Sequence, residues 1–292
     1  MNQIKKQLLL VCVCVFALNG QAIASELSDA TAAYKAGNFS KAASLFIPLA
    51  KRGEAQAQGF LAAMYDKGQG VSQDYEAAAK WYRLAAEQGN ASAQSSLAFM
   101  YSKGQVVPLD YKEALKWYRL AAEQGNADAQ LRLGDWFSFW GANVFTRQSV
   151  SQDNLEIPKD YNDLKAAVKW YQLAAEQGNA DAQLRLGDWY ADEKSKSKDY
   201  AEAVKWYRLA AENGNVDAQV KLVGWYADGK VVTQNPVVAY MWANIAALNA
   251  EPREFQKIVN YRDSIAIKMN AQQIAEAQKL SKKCLANKSK GC

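Results

Sequence analysis

One hexapeptide, AAEQGN, recurs along this chain at a fixed interval. It starts at Ala85, Ala121 and Ala174, and returns as AAENGN at Ala210. The intervals are 36, 53 and 36 residues, and the long one equals the short one plus an insertion of 17. A Trp-Tyr pair keeps step at Trp81, Trp117, Trp170 and Trp206, and so does an Ala-Gln pair ending at Gln58, Gln94, Gln130, Gln183 and Gln219. Self-similarity at this period means small supersecondary units stacked on one another, each burying on its neighbour an apolar face it cannot bury alone.

The unit over residues 54–90 shows the grammar. Ala57, Leu61 and Tyr65 fall at i, i+4 and i+8, one stripe of a first helix. Gly68 and Gly70 mark a turn. Asp74 is placed to cap a second helix that carries Ala77, Ala78, Trp81, Tyr82, Ala85 and Ala86. Gly89 ends that helix in the left-handed conformation, and Asn90 caps the next one. Asp110 with Glu113, and Asp199 with Glu202, have the spacing of a capping box. The reading is an all-α solenoid of about six α/α helical-hairpin repeats. A degenerate unit over 25–53 leads, five full units fill 54–251, and capping helices with a tail close the chain over 252–292. Asn270 and Gln273 predict a capping-box start for the last helix.

Residues 1–24 read as a signal peptide. Lys5 and Lys6 precede a short apolar run from Leu8 to Leu18, and Ala22-Ile23-Ala24 has the small-x-small form of a cleavage site. The run is too short for a membrane span, and no second apolar segment is long enough. The expected location is therefore outside the cytoplasm, in the periplasm or beyond. Cleavage would leave Cys284 and Cys292, which an oxidising compartment would allow to pair across a small terminal loop, stapling nothing in the repeats. The net charge is +5, and loss of Lys5 and Lys6 takes it to +3. Lys and Glu alternate along the helices as solvated faces, and no basic groove for nucleic acid is present.

AQAQGFLAAMYDKGQGVSQDYEAAAKWYRLAAEQGN from Ala55, and ASAQSSLAFMYSKGQVVPLDYKEALKWYRLAAEQGN from Ala91, closely resemble the Sel-one-like repeat, a relative of the tetratricopeptide repeat. The resemblance spans about residues 27–251, and RDSIAIKMNAQQIAEAQKL resembles the closing segment of bacterial members. It implies a right-handed superhelix and an adaptor or scaffold role, usually protein binding. A cysteine-rich branch that binds or hydrolyses β-lactams is a poor match, because no cysteine lies between Cys14 and Cys284.

In the tetratricopeptide fold the first helices line the concave wall. Carried over by position, that wall holds Ala63, Phe99, Asp135, Asp188 and Gly224 in one slot and Gly59, Ser95, Leu131, Leu184 and Val220 in another, with Arg132, Arg185 and Lys221 beside them. The wall is small and neutral early and charged later. A protein or extended peptide is the partner such a surface implies. Trp136, Trp189 and Trp225 share a slot that Met64 and Met100 hold earlier, which reads as inter-helix core or as an aromatic ladder. The insertion, about 138–160, includes Phe139, Trp140, Val144 and Phe145. It reads either as a docking protrusion anchored by Trp140 or as an extended first helix with a turn packed back.

The chain has no histidine. That removes Ser-His and Cys-His nucleophile pairs and His-ligated metal sites. No phosphate-binding glycine loop or calcium loop appears, and no cofactor is expected. Asp135 and Asp188 could serve as paired carboxylates on a glycan, or as a surface ladder with Arg132 and Arg185. The leading expectation is a non-enzymatic exported scaffold. The alternatives are a protein that binds or trims cell-wall glycan or β-lactam-like ligands, and a secreted factor that engages host proteins.

Overall fold

The computed structural model describes residues 23–142, 164–193, 198–287 and 291–292. Among them are 14 helices and no strand. They are α1 (23–35), α2 (Phe39–Lys51), α3 (Ala55–Lys67), α4 (Tyr75–Glu87), α5 (Ala91–Lys103), α6 (Tyr111–Glu123) and α7 (Ala127–Ala142). Then follow α8 (Leu164–Glu176), α9 (Ala180–Ala191), α10 (Tyr200–Glu212), α11 (Val216–Asp228), α12 (Pro236–Asn249), α13 (Pro252–Ala266) and α14 (Ala271–Ala286). Consecutive helices pack on one another as an all-α solenoid of hairpins. The chain divides into two bodies, one up to Ala129 and one from Gln130. The signal-peptide reading of residues 1–22 lies outside the described residues.

In the first body, α1 and α2 form the leading hairpin. Phe46 stacks on Phe60 at 4.9 Å, and the Tyr34 ring meets both Phe39 and Phe60 at 5.3 Å. Ile23, Leu27 and Val71 pack against this cluster. The following hairpins bury alanines at the helix contacts, with Tyr82 and Leu97 as the larger fillers. Alanine lets backbones approach, and each tyrosine fills what remains.

The recurring glutamine is the polar member of this core. Gln58, Gln94, Gln130, Gln183 and Gln219 are all 4% exposed or less. The Gln94 amide nitrogen donates to the Ala86 carbonyl at 3.0 Å, at the end of the preceding helix α4. Its oxygen accepts from Gln124 Nε2 at 2.7 Å, at the end of its own partner helix α6. Gln58 repeats both bonds with Ala50 and Gln88, and Gln183 does so with Ala175 and Asn213. A buried amide costs several kcal/mol unless bonded. Here its nitrogen gives a second bond to a helix-end carbonyl that already accepts the N–H of the following glycine, as Ala86 does from Gly89, so the amide itself is satisfied.

Asp74 and Asn90 cap α4 and α5, each accepting an N–H at 2.9 Å. Gly89 has φ +90°, as its position demands. The capping boxes expected at Asp110 and Asp199 are only half made. Both aspartates accept two backbone N–H bonds. Their own N–H groups, however, donate to the carbonyls of Tyr101 and Tyr190 across the turn. Glu113 and Glu202 therefore turn outward to Lys116 and Lys205. Asn270 and Gln273 complete a true box, at 3.0 and 2.9 Å, because no preceding hairpin uses the Asn270 N–H.

In the second body, α12 is the most buried helix, with Trp242 1% and Ile245 0% exposed. Helices α13 and α14 pack on it and close the stack. Cys284 and Cys292 are joined, with Cα atoms 5.6 Å apart. The bridge does more than close a loop. Cys284 is buried in the same cluster as Leu222, Tyr240 and Ile245, so it ties the chain end to the core of the last repeat.

The glutamine amide gives a direct test. Gln94→Ala removes both bonds of a buried amide and leaves the space it filled empty, and is expected to destabilise the fold by about 2 kcal/mol in urea unfolding. Gln124→Ala, at its exposed partner, is expected to cost under about 1 kcal/mol.

Candidate partner-binding face

Within the second body, helices α7, α9 and α11 are the first helices of successive hairpins. They present Arg132 and Asp135, then Arg185 and Asp188, then Lys221. Asp135 Oδ1 accepts from Arg185 Nε at 2.9 Å, and its Oδ2 lies 3.7 Å from Arg132. Asp188 Oδ1 lies 3.0 Å from Lys221 Nζ. Each carboxylate thus reaches the cation of the next hairpin, so the charges form a ladder across repeats. The cations are roughly half exposed, at 50%, 47% and 42% for Arg132, Arg185 and Lys221.

A tyrosine from each second helix supports the ladder from below. Tyr171 Oη donates to Asp135 at 3.0 Å, and Tyr207 Oη donates to Asp188 at 2.7 Å. Both tyrosines are 5% exposed or less. Their rings lie flat against the first helix because glycine precedes each aspartate. A Cβ on Gly134 would sit 2.5 Å from the Tyr171 ring, and one on Gly187 would sit 2.4 Å from the Tyr207 ring. Where Ala62 takes that slot, Tyr82 instead bonds Ser96 on the next hairpin's first helix. Trp225 meets Tyr207 edge-on at 5.0 Å and Tyr200 at 6.0 Å, which is packing rather than a free ladder rung.

Burial pushes the Tyr82 hydroxyl up to about 12, partly offset by its bond to Ser96. Burial, followed by the Asp135 charge, raises Tyr171 well above the ordinary tyrosine range. Burial and the bond to Asp188 raise Tyr207 likewise. Burial works against the Arg185 charge, yet the Asp135 carboxylate carries its pKa upward. The two aspartates accept from tyrosine hydroxyls and lie against cations, which is the ladder arrangement.

The other sequence candidates fall as follows. Leu131 and Leu184 are 4% and 6% exposed and offer no surface to a partner. Their slot faces the following hairpin. In the first body, a Cβ on the equivalent Gly59 would meet the Asn90 side chain at 3.3 Å. Phe99 lies in the first body, 40% exposed, with Lys103 Nζ 5.7 Å from its ring centre. Trp140 lies on α7, which runs to Ala142, and the remainder of the expected insertion falls within residues 143–163, outside the described residues. The buried glutamines and the glycine-tyrosine contact were not foreseen from sequence. Their signals, the Ala-Gln pair and Leu-Gly-Asp, were visible but had no assigned role.

The Sel1 repeat family model matches residues 55–90, 91–126, 127–153, 155–179, 180–215 and 216–250. The chain is similar to a solved Sel1 repeat protein from Oxalobacter formigenes, with 28% identity and a TM-score of 0.69, covering 88% of this chain and 99% of that one. It is also similar to c5321, described as a protective antigen present in uropathogenic Escherichia coli strains displaying an SLR fold. There the identity is 28% and the TM-score 0.52, over 86% of this chain but 57% of that one. Among curated proteins, none matches.

Two predictions follow from the tyrosines. Gly187→Ala forces the Tyr207 ring off α9 and is expected to cost about 2 kcal/mol in urea unfolding. Raised tyrosine pKa values mean that the unfolded chain releases protons first. Their stabilisation is complete below pH about 10, the unfolded tyrosine value, and is lost as pH rises through the folded values. Absorbance titration should show Tyr82, Tyr171 and Tyr207 ionising last, and Tyr207→Phe should flatten the alkaline loss of stability.

Proposed function

The chain belongs to the Sel1 repeat family, and from that membership we propose an exported, non-enzymatic scaffold that holds a protein or peptide partner on the charged first-helix face of its second body. The observation that carries this reading is a division of labour within single helices. The recurring glutamines are buried in internal bonds and the cap residues are engaged at helix starts, whereas Arg132, Arg185 and Lys221 on the first helices are roughly half exposed. A frame that satisfies itself leaves its remaining polar groups for recognition. Fold alone names no partner, so the site must carry the argument.

Two features support export. One is the basic and apolar start with its small-x-small site. The other is the Cys284–Cys292 bridge, which suits an oxidising compartment. Cleavage after Ala24 would keep α1 from Ser25 onward. No helix among the described residues is long and apolar enough to cross a membrane. Similarity to a protein described as a protective antigen fits an exported location.

The test is affinity capture from native envelope extract with the tagged chain from Ser25, followed by crosslinking and mass spectrometry. A partner crosslinked to α7, α9 or α11 is expected. Arg132→Glu with Lys221→Glu should weaken it by about tenfold or more while leaving the helical circular dichroism unchanged. Retention of cell-wall fragments with no protein partner would overturn the proposal in favour of a glycan ligand.

A further inference from the structure

A second surface lies in the first body, in the turn between α5 and α6. Its reference is the matching turn between α3 and α4. There Gly70 has φ +72°, and a Cβ on it would sit 2.2 Å from the Phe39 carbonyl oxygen. Glycine lets that turn rest on the start of the preceding second helix, α2. In the next repeat, Gly104-Gln105-Val106 replaces Gly68-Gln69-Gly70. Val106 holds φ +69°, and it is the only residue other than glycine with positive φ among those described. A β-branched side chain is strained there. With a side chain in that slot the turn cannot settle onto α4 as its counterpart settles onto α2.

The space between turn and helix is a groove of about 610 Å³, lined by Glu76, Ala79, Lys80, Arg83, Leu84, Val106 and Val107. The five α4 residues fall at i, i+3, i+4, i+7 and i+8, one stripe of that helix. The volume suits pockets of roughly 300–1,000 Å³ that take small ligands or a few side chains. Leu84 and Val106 are 44% and 45% exposed, so the floor is apolar and open. Lys80 and Arg83 outnumber Glu76, the one acidic residue among those lining the groove. Arg83 is held there by donating to Tyr101 Oη at 2.7 Å, its guanidinium 5.9 Å above the tyrosine ring.

We propose that this groove docks a short extended segment of a partner protein carrying an aliphatic side chain beside a carboxylate. The aliphatic group seats on Leu84, Val106 and Val107, and the carboxylate meets Lys80 and Arg83. Strain retained at a recognition surface is a familiar cost of holding a side chain ready. The charged face of the second body plays no part in it.

The probe is a fluorescein-labelled peptide in which leucine alternates with aspartate, titrated against the full chain by anisotropy. Versions with lysine for aspartate, and with serine for leucine, are the controls. The leucine-aspartate peptide should bind saturably below about 1 mM, and the controls should not. Val106→Gly should raise the thermal midpoint by about 2 °C and weaken the peptide about tenfold. Lys80→Glu with Arg83→Glu should abolish that binding and transfer it to the lysine version. Three results would each overturn the proposal: no saturable binding, equal binding of both charged peptides, or a Val106→Gly chain that binds as wild type does. A Val106→Gly chain no more stable than wild type would remove its premise.

Discussion

The buried glutamine amide is the joint on which the repeats depend. One planar group touches three helices. It lies on a first helix, donates to the last turn of the preceding hairpin, and accepts from the last turn of its own hairpin. No other common side chain does this. Leucine would make neither bond between hairpins and would leave the returning Gln124 amide without its acceptor, and glutamate would bury a charge beside the carbonyl. The hexapeptide supplies the other half of the joint. Its second alanine carries the accepting carbonyl, with a side chain too small to block the approach. Its glutamine sends back the returning bond. The period of the sequence is thus the period of one contact. Asn213 and Asn249 stand in for that returning glutamine with a shorter side chain, at 2.9 and 3.5 Å, and the longer distance falls at the last joint.

This contact also explains which features could be read from sequence. Helical period, turns and caps are local, and they could be placed from residue spacing alone. The last helix was legible down to its capping box. Whatever depends on the neighbouring hairpin was not. Asp110 and Glu113 have the spacing of a box, but the Asp110 N–H is claimed by Tyr101, nine residues earlier, across the turn. Leu131 and Asp135 share a helix face by spacing, yet Leu131 is buried and the Asp135 side chain stays 28% exposed. Transferring a wall from a sister fold names a helix face. It does not say how closely the next unit covers each residue. Nor do two cysteines eight residues apart reveal that Cys284 sits in the core of the last repeat.

The second body modifies one relay without altering the frame. In the first body Tyr82 bonds Ser96 of the next hairpin directly. In the second, an aspartate is inserted between the tyrosine and the next hairpin's cation, so Tyr207, Asp188 and Lys221 run in series. The insertion requires glycine before the aspartate, and a helix-interior glycine costs roughly 0.5–1 kcal/mol against alanine. A half-exposed ion pair returns about 0–1 kcal/mol. The two nearly cancel, so stability does not account for the charged version. What it changes is the surface, placing fixed cations where the first body has the neutral Phe60 and Ser96.

The turn at Val106 has the same sign. A strained β-branched residue stands where glycine would be relaxed, and the result is exposed apolar surface beside two cations. Each departure weakens its own unit slightly. A stack tolerates this because every hairpin is also held by its neighbours, and stability is approximately a sum over units and interfaces. Gln58, Gln94 and Gln183 each make both bonds of the joint, whatever the surface slots on the same hairpins carry. Because the joint is buried and the variable slots are not, a repeat can change its surface residues without changing its fit to the next. That separation lets one hairpin design present unlike surfaces along a single chain, and it is why the most regular positions here are the least informative about what the protein binds.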